Sequence, residues 1–305
     1  MRTILTFFIG IGLTASLIAG CGDDGGGGGV SVVATTPQVA DLVRNVAGDR
    51  AEVTQILPAN ADPHEYEPTP SDAEALAGAD LIVRSGGEVD DWLDQLVESS
   101  GTDAPVLVLI DHVKTVTTDG DTDPHWWQDP RNAVLAVAAI RDEVDDVDPG
   151  GAGAYDANAR RYIGEIERLD RAIASCIDRV PPAQRKLVTS HDALGYYAAR
   201  YGIDVIGAAI PALTTQAQAS AGETSDLIAL IRSEEVNAIF PEAGVSPALE
   251  QAIADEAGAT VGGQLWADTL GPEDTAAATY LGSLRANTRT LVEGFSAGKT
   301  ACDLP

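Results

Sequence analysis

One run of residues does most to limit the possible folds. Tyr155, Ala159, Tyr162, Ile163, Ile166, Leu169, Ile173, Ile177 and Val180 recur at helical spacing, and Val180-Pro181-Pro182 ends the run. A helix of roughly 27 residues, at about 1.5 Å each, reaches about 40 Å. That is longer than one small domain needs, so the run reads as a spine between two bodies. The Asp148-Pro149-Gly150-Gly151 break separates it from what precedes.

Both flanks show strands alternating with helices. Before the spine, strands are expected at Val30–Thr35, Ala51–Ile56, Leu81–Arg84 and Val106–Ile110. Helices are expected at Pro37–Val46, Ser71–Ala77, Asp90–Val97 and Pro130–Val144, with a loop from Pro58 to Pro70. After it, strands are expected at Lys186–Thr189, Val205–Ala208, Ala238–Phe240 and Thr260–Val261. The helices there are Ala193–Tyr201, Ser225–Ile231, Pro247–Ala257 and a last one from about Thr275 to Phe295. This rhythm belongs to parallel sheets covered by helices. The fold class is therefore α/β: two lobes, each a mostly parallel sheet flanked by helices, joined by one long rigid helix. No residue-level repeat relates the lobes.

The N-terminus has a different character. Ile4 to Gly20 is apolar behind Arg2 and ends in small residues, the grammar of a secretion signal over residues 1–20. Ile18-Ala19-Gly20-Cys21 resembles a bacterial lipobox, whose cysteine becomes the lipidated first residue of the mature chain. The glycine-rich stretch 21–29 reads as a flexible tether. The expected divisions are a lobe at 30–148, the linking helix at 149–181 and a second lobe at 182–305. With Cys21 assigned to lipid, Cys176 and Cys302 remain as a pair in an exported chain, where disulfides persist. The alternative is two buried thiols that never meet.

Chemistry must come from few residues. The chain holds four histidines, and Asp and Glu outnumber Lys and Arg by 47 to 19, a formal net charge of −28. That charge speaks against nucleic acid and against a polybasic grip on lipid, and is compatible with a cation ligand. Three histidines fall in loops between strand and helix: His64 in Asp62-Pro63-His64, His125 in Asp123-Pro124-His125, and His191 in Ser190-His191-Asp192. Ligands of open α/β sheets bind beyond the carboxyl ends of the strands. Glu242 and Asp268 follow strands of the second lobe in the same way.

The motifs Asp62-Pro63-His64-Glu65-Tyr66-Glu67-Pro68, Asp123-Pro124-His125-Trp126-Trp127-Gln128-Asp129-Pro130, Thr189-Ser190-His191-Asp192-Ala193 and Asp268-Thr269-Leu270-Gly271 occur in this order. Together they resemble the solute-binding lipoproteins of bacterial zinc and manganese ABC importers, across nearly all of the mature chain. The resemblance implies one divalent cation clamped between two lobes, with a stiff helix in place of flexible strand hinges. It implies ligands His64 and His125 from the first lobe and His191 and Asp268 from the second, with Glu242 beside the site. It further implies a lipid anchor on the outer face of the cytoplasmic membrane, an ABC permease as partner, and a monomer. Many zinc members of that family carry a His- and acid-rich loop before the second motif; here that stretch is Thr115–Thr122, acidic but without histidine. His112, just before it, is either a helper or an ordinary exposed side chain.

Three imidazoles and one carboxylate suit Zn²⁺, whereas Mn²⁺ prefers more oxygen donors. Manganese members of the family often carry Glu where His191 stands, so zinc is favoured as the transported ion. Two other classes compete with this reading. A zinc hydrolase needs an open coordination position, and neither a His-Glu-x-x-His helix nor a Gly-x-Ser-x-Gly elbow occurs. A surface adhesion lipoprotein with a structural metal would show metal affinity without an importer.

Overall fold

The computed structural model describes residues 29–118 and 120–305. The expected signal, Cys21 and most of the glycine tether lie outside the described residues.

The chain starts with β1 (Val30–Ala34) and α1 (Pro37–Ala47), the Thr36 hydroxyl accepting from the Val39 amide and Pro37 preset for the first turn. β2 (Ala51–Gln55) leads into the long proline-rich loop. α2 (Pro70–Ala77) follows, Asp72 accepting from the Thr69 amide at its start. Next come β3 (Leu81–Arg84), α3 (Trp92–Ser100) and β4 (Val106–Val108). A small antiparallel hairpin, β5 (Thr117–Thr118) and β6 (Asp121–Thr122), precedes α4 (Pro130–Val147). The spine is α5 (Ala152–Ile177), 26 residues. Beyond it lie β7 (Lys186–Thr189), α6 (Gly195–Tyr201), β8 (Asp204–Ala208), α7 (Ala221–Ser233), β9 (Ala238–Ile239), α8 (Ala248–Ala257), β10 (Thr260–Val261) and α9 (Tyr280–Phe295).

The first sheet is parallel with strand order β2-β1-β3-β4. In the second lobe β7 pairs with β8 and β9 with β10, both parallel. An isolated parallel bridge, Thr189 to Phe240, joins the two pairs. The spatial order is thus β8-β7-β9-β10, the same second-first-third-fourth pattern as in lobe one. The topology recurs without the residues, so the repeat leaves no trace in the sequence.

The spine is not a bare connector. One buried cluster runs from Val39, Leu42 and Val83 in lobe one, through Tyr162, Ile166 and Ile173 of α5, to Tyr197, Phe240 and Leu291 in lobe two. Polar pins lock it in register. Tyr162 donates to Asp41 of α1 (2.9 Å), and Asp170 accepts from Arg200 (2.6 Å) and Tyr201 (2.9 Å) of α6. Cys176 and Cys302 form a disulfide with Cα atoms 5.8 Å apart, tying the end of α5 to the C-terminal tail.

Several boundaries differ from the expectation. α3 begins at Trp92 rather than Asp90, because the Asp90 carboxylate is buried and occupied elsewhere. β4 stops short of Ile110, because Leu109–His112 coils into a 3-10 turn that leaves His112 exposed. α7 starts earlier, at a Ser220–Glu223 capping box, and α9 later, where the Thr279 hydroxyl accepts from the Gly282 amide.

Candidate metal centre

The loops at one end of the two sheets face each other. His64 comes from the loop after β2, and His125 from the turn before α4. His191 lies two residues past the Thr189 end of β7, and Asp268 lies in the segment between β10 and α9. His125 and His191 are fully buried, while His64 and Asp268 retain 8% and 6% exposure. One donor atom from each of the four lies within 4.8 Å of the other three.

Asp268 sits at the centre. Its Oδ2 is 3.0 Å from His191 Nε2 and 3.4 Å from His64 Nε2, and its Oδ1 is 3.5 Å from His125 Nε2. The three rings meet edge to face, with centroids 5.2 to 5.8 Å apart. None of the three Nε2 atoms, nor Asp268 Oδ1, has a hydrogen-bond partner among the described residues. Four buried polar atoms without partners are costly unless something satisfies them. A tetrahedral ion with bonds of about 2.0–2.1 Å spaces its donors roughly 3.3 Å apart, and these N···O separations match that edge.

Neighbouring carboxylates orient two of the rings. His125 Nδ1 lies 2.8 Å from Asp123 Oδ1, which also accepts from the His125 amide (2.9 Å). His191 Nδ1 lies 2.7 Å from Glu242 Oε2, while Glu242 Oε1 accepts from the Ser190 and His191 amides (both 3.1 Å). Each carboxylate fixes a tautomer that leaves Nε2 free for a cation and makes it more basic. Glu242 thus lies against His191. Asp123 orients His125 in the same way, a role its motif did not reveal, although a carboxylate two residues before a histidine is a readable signal.

The charges are strongly coupled. Burial disfavours a charged His191, yet the carboxylates of Glu242 and Asp268 outweigh it and hold the imidazole well above its usual pKa. Burial likewise raises Asp268, but His191 and His125 outweigh that and hold the carboxyl well below the usual range. In the absence of a cation, a proton on His191 compensates Asp268.

Lobe one also grips the segment that carries Asp268. The Ala267 carbonyl accepts from Trp127 Nε1 (2.9 Å) and Gln128 Nε2 (2.7 Å), so residues just after His125 hold the residue just before Asp268. Tyr280 of α9 donates to the Trp127 carbonyl (2.7 Å). Neither clamp was foreseen, because nothing in the sequence pairs positions this far apart. His112 lies outside the cluster.

The family described as ZnuA, zinc-uptake complex component A periplasmic, matches residues 32–294. The chain is similar to the manganese-binding lipoprotein MntA of Halalkalibacterium halodurans, 33% identical over 97% of this chain and 100% of that one. It is also similar to the iron-binding protein YfeA of Yersinia pestis, 30% identical over 87% and 86%. Among solved structures, the periplasmic zinc binding protein TroA from Treponema pallidum superimposes with a TM-score of 0.83 at 26% identity, covering 88% of this chain and 99% of that one.

Proposed function

The chain belongs to the ZnuA family of metal-binding solute-binding lipoproteins of ABC transporters, and from that premise we propose that His64, His125, His191 and Asp268 hold its cargo, with Zn²⁺ the preferred ion. As a member it is an extracytoplasmic, lipid-anchored protein that binds a divalent transition metal between two lobes and passes it to an ABC permease. It is a carrier and not an enzyme. The observation that carries the ligand assignment is the convergence of four buried donor atoms, three imidazole nitrogens and a carboxylate oxygen, with no partner but one another among the described residues. We assign Cys21 as the lipid attachment point, Glu242 as the group that orients His191, and residues 30–148, 149–181 and 182–305 as lobe, spine and lobe.

Zinc is preferred on the donor set: imidazole suits Zn²⁺, and three nitrogens with one carboxylate complete a tetrahedron. A specific observation supports manganese as the second reading. Both oxygens of Asp268 face imidazoles, so the carboxylate can chelate through both and add an oxygen donor. The similarity to MntA points the same way. Affinity in vitro does not separate the two, because such sites favour zinc over manganese in any case. Metal analysis of protein purified from cells without added metal does. Zinc in near-equal amount to protein supports the first reading, and manganese the second.

A further inference from the structure

The two Asp-Pro-His turns are used differently. Asp123 turns both its bonds back on His125. Asp62 accepts from the His64 amide through Oδ1 (2.9 Å), but its Oδ2 reaches lobe two and accepts from Thr215 Oγ1 (2.6 Å). The next residue, Gln216, donates through Nε2 to the His64 carbonyl. Thr215 and Gln216 sit in the loop between β8 and α7. They cross the cleft to hold the Asp62 carboxylate and the His64 carbonyl, not the ion.

His64 also borders open space. A cavity of about 420 Å³ is lined by His64, Tyr66, Trp92, Gln216 and the exposed carboxylates Glu88 and Asp91, the latter 3.6 Å from the Arg84 guanidinium that Asp90 and Asp94 also share. His125 and His191 are 0% exposed. The Asp268 side chain is 7% exposed against 2% for His64, but its segment is held by Trp127 and Gln128 at the Ala267 carbonyl. A spine whose core is continuous with both lobes leaves little room for a wide hinge.

We propose that the Thr215–Gln216 turn is the gate of the cation site: the ion enters and leaves past His64, through the cavity that Glu88 and Asp91 make acidic, and the turn sets how fast it exchanges rather than how tightly it is held. This rests on the ligand assignment above. A contact between protein groups that must break for passage in either direction raises both barriers alike and leaves the equilibrium nearly unchanged. Negative charge at the mouth raises the local cation concentration.

The test is stopped-flow exchange of Zn²⁺ on the purified protein, followed by tryptophan fluorescence, with release driven by excess EDTA. Gln216→Ala and Thr215→Val should each speed release and association about tenfold, the effect of losing one hydrogen bond of ordinary strength. The equilibrium constant should stay within about threefold. Unchanged rates in both variants would overturn the gate. So would faster release with unchanged association, which would make the turn a prop for His64 alone. A Glu88→Gln, Asp91→Asn double variant, away from the ligands, should slow association several-fold at low salt and little above about 0.5 M salt, where charges are screened. Unchanged association at low salt would move the route elsewhere. If the ligand assignment itself is wrong, the parent protein fails to bind one Zn²⁺ per chain, a result distinct from binding with unaltered rates.

Discussion

Beyond the carboxyl ends of β1 and β3, at the point where strand order reverses, lobe one places Asp90. Its carboxylate accepts from Thr35 Oγ1 (2.7 Å), the Ser85 amide (2.7 Å), the Gly86 amide (3.0 Å) and Arg84 Nε (3.1 Å). At the corresponding point of lobe two, beyond β7 and β9, Glu242 accepts from two amides and presents its second oxygen to His191. The crevice is the same, and so is the device of a carboxylate on backbone N–H groups. In lobe one an arginine neutralises the carboxylate and the site is closed. In lobe two the partner is a titratable imidazole whose far nitrogen is left for a cation. Topology supplies the crevice, and the counter-charge decides whether it is structural or functional.

That contrast orders the expected effects on metal affinity. The largest belongs to the ligands. His191→Ala and Asp268→Ala should each weaken Zn²⁺ binding by at least about 100-fold in calorimetric titration, above the usual loss for a residue that merely orients a ligand. His112→Ala should leave it unchanged. A His112 effect as large as that of His191 would break the ligand assignment.

Glu242→Gln should cost about 10–100-fold, the range found for carboxylates behind metal-bound histidines. Asp90→Asn sharpens the comparison. It should leave affinity within about twofold while lowering stability by about 3 kcal/mol, since Arg84 loses its buried partner. Equal affinity losses in the two variants would mean that both crevices serve the ion.

A smaller effect follows from the proton. The folded-state pKa of His191 is raised, so the imidazole is still protonated above the usual histidine pKa of about 6.5 and must lose that proton to bind metal. Apparent affinity should therefore keep rising with pH above 6.5, by up to about tenfold per unit while one proton is released. Titrations at pH 7 in buffers of different ionisation enthalpy should register that proton. For the metal-free protein the sign is opposite. The His191–Asp268 pairing contributes stability at low to neutral pH, and this is lost as pH rises through the raised histidine pKa.

The smallest effect on affinity should come from the disulfide. Cys176 and Cys302 are 126 positions apart, so reduction should lower stability by up to about 5 kcal/mol in the chain-entropy view. Affinity should hardly change, because neither cysteine belongs to the ligand cluster. Denaturant unfolding with and without reductant, beside a zinc titration, checks both halves.

The legible part of the molecule was the local part. Helix α5 showed itself through a 3.6-residue period sustained from Tyr155 to Ile177, and the strands through short apolar runs between turns. The four proposed ligands were read from motifs, not from spacing, because histidines more than 60 positions apart carry no metal signature of their own. What stayed hidden was non-local. The matching strand order rests on one bridge, Thr189 to Phe240, and the grip on Asp268 rests on a Trp127 and Gln128 contact across about 140 positions. Asp90 was misread as a helix start because an acidic residue before an apolar run is also what a helix N-terminus looks like. Only the fold shows Arg84, Thr35 and Ser85 closing around it.

The central claim is that one cation is held jointly by His64 and His125 from lobe one and by His191 and Asp268 from lobe two. X-ray absorption at the zinc edge on protein loaded with one equivalent of Zn²⁺ tests it most directly. The account predicts a single site with three imidazole nitrogens and carboxylate oxygen at about 2.0–2.2 Å, losing one imidazole in His64→Ala and another in His191→Ala. A spectrum with fewer than three imidazoles, or one unchanged by removing a histidine from either lobe, would contradict it.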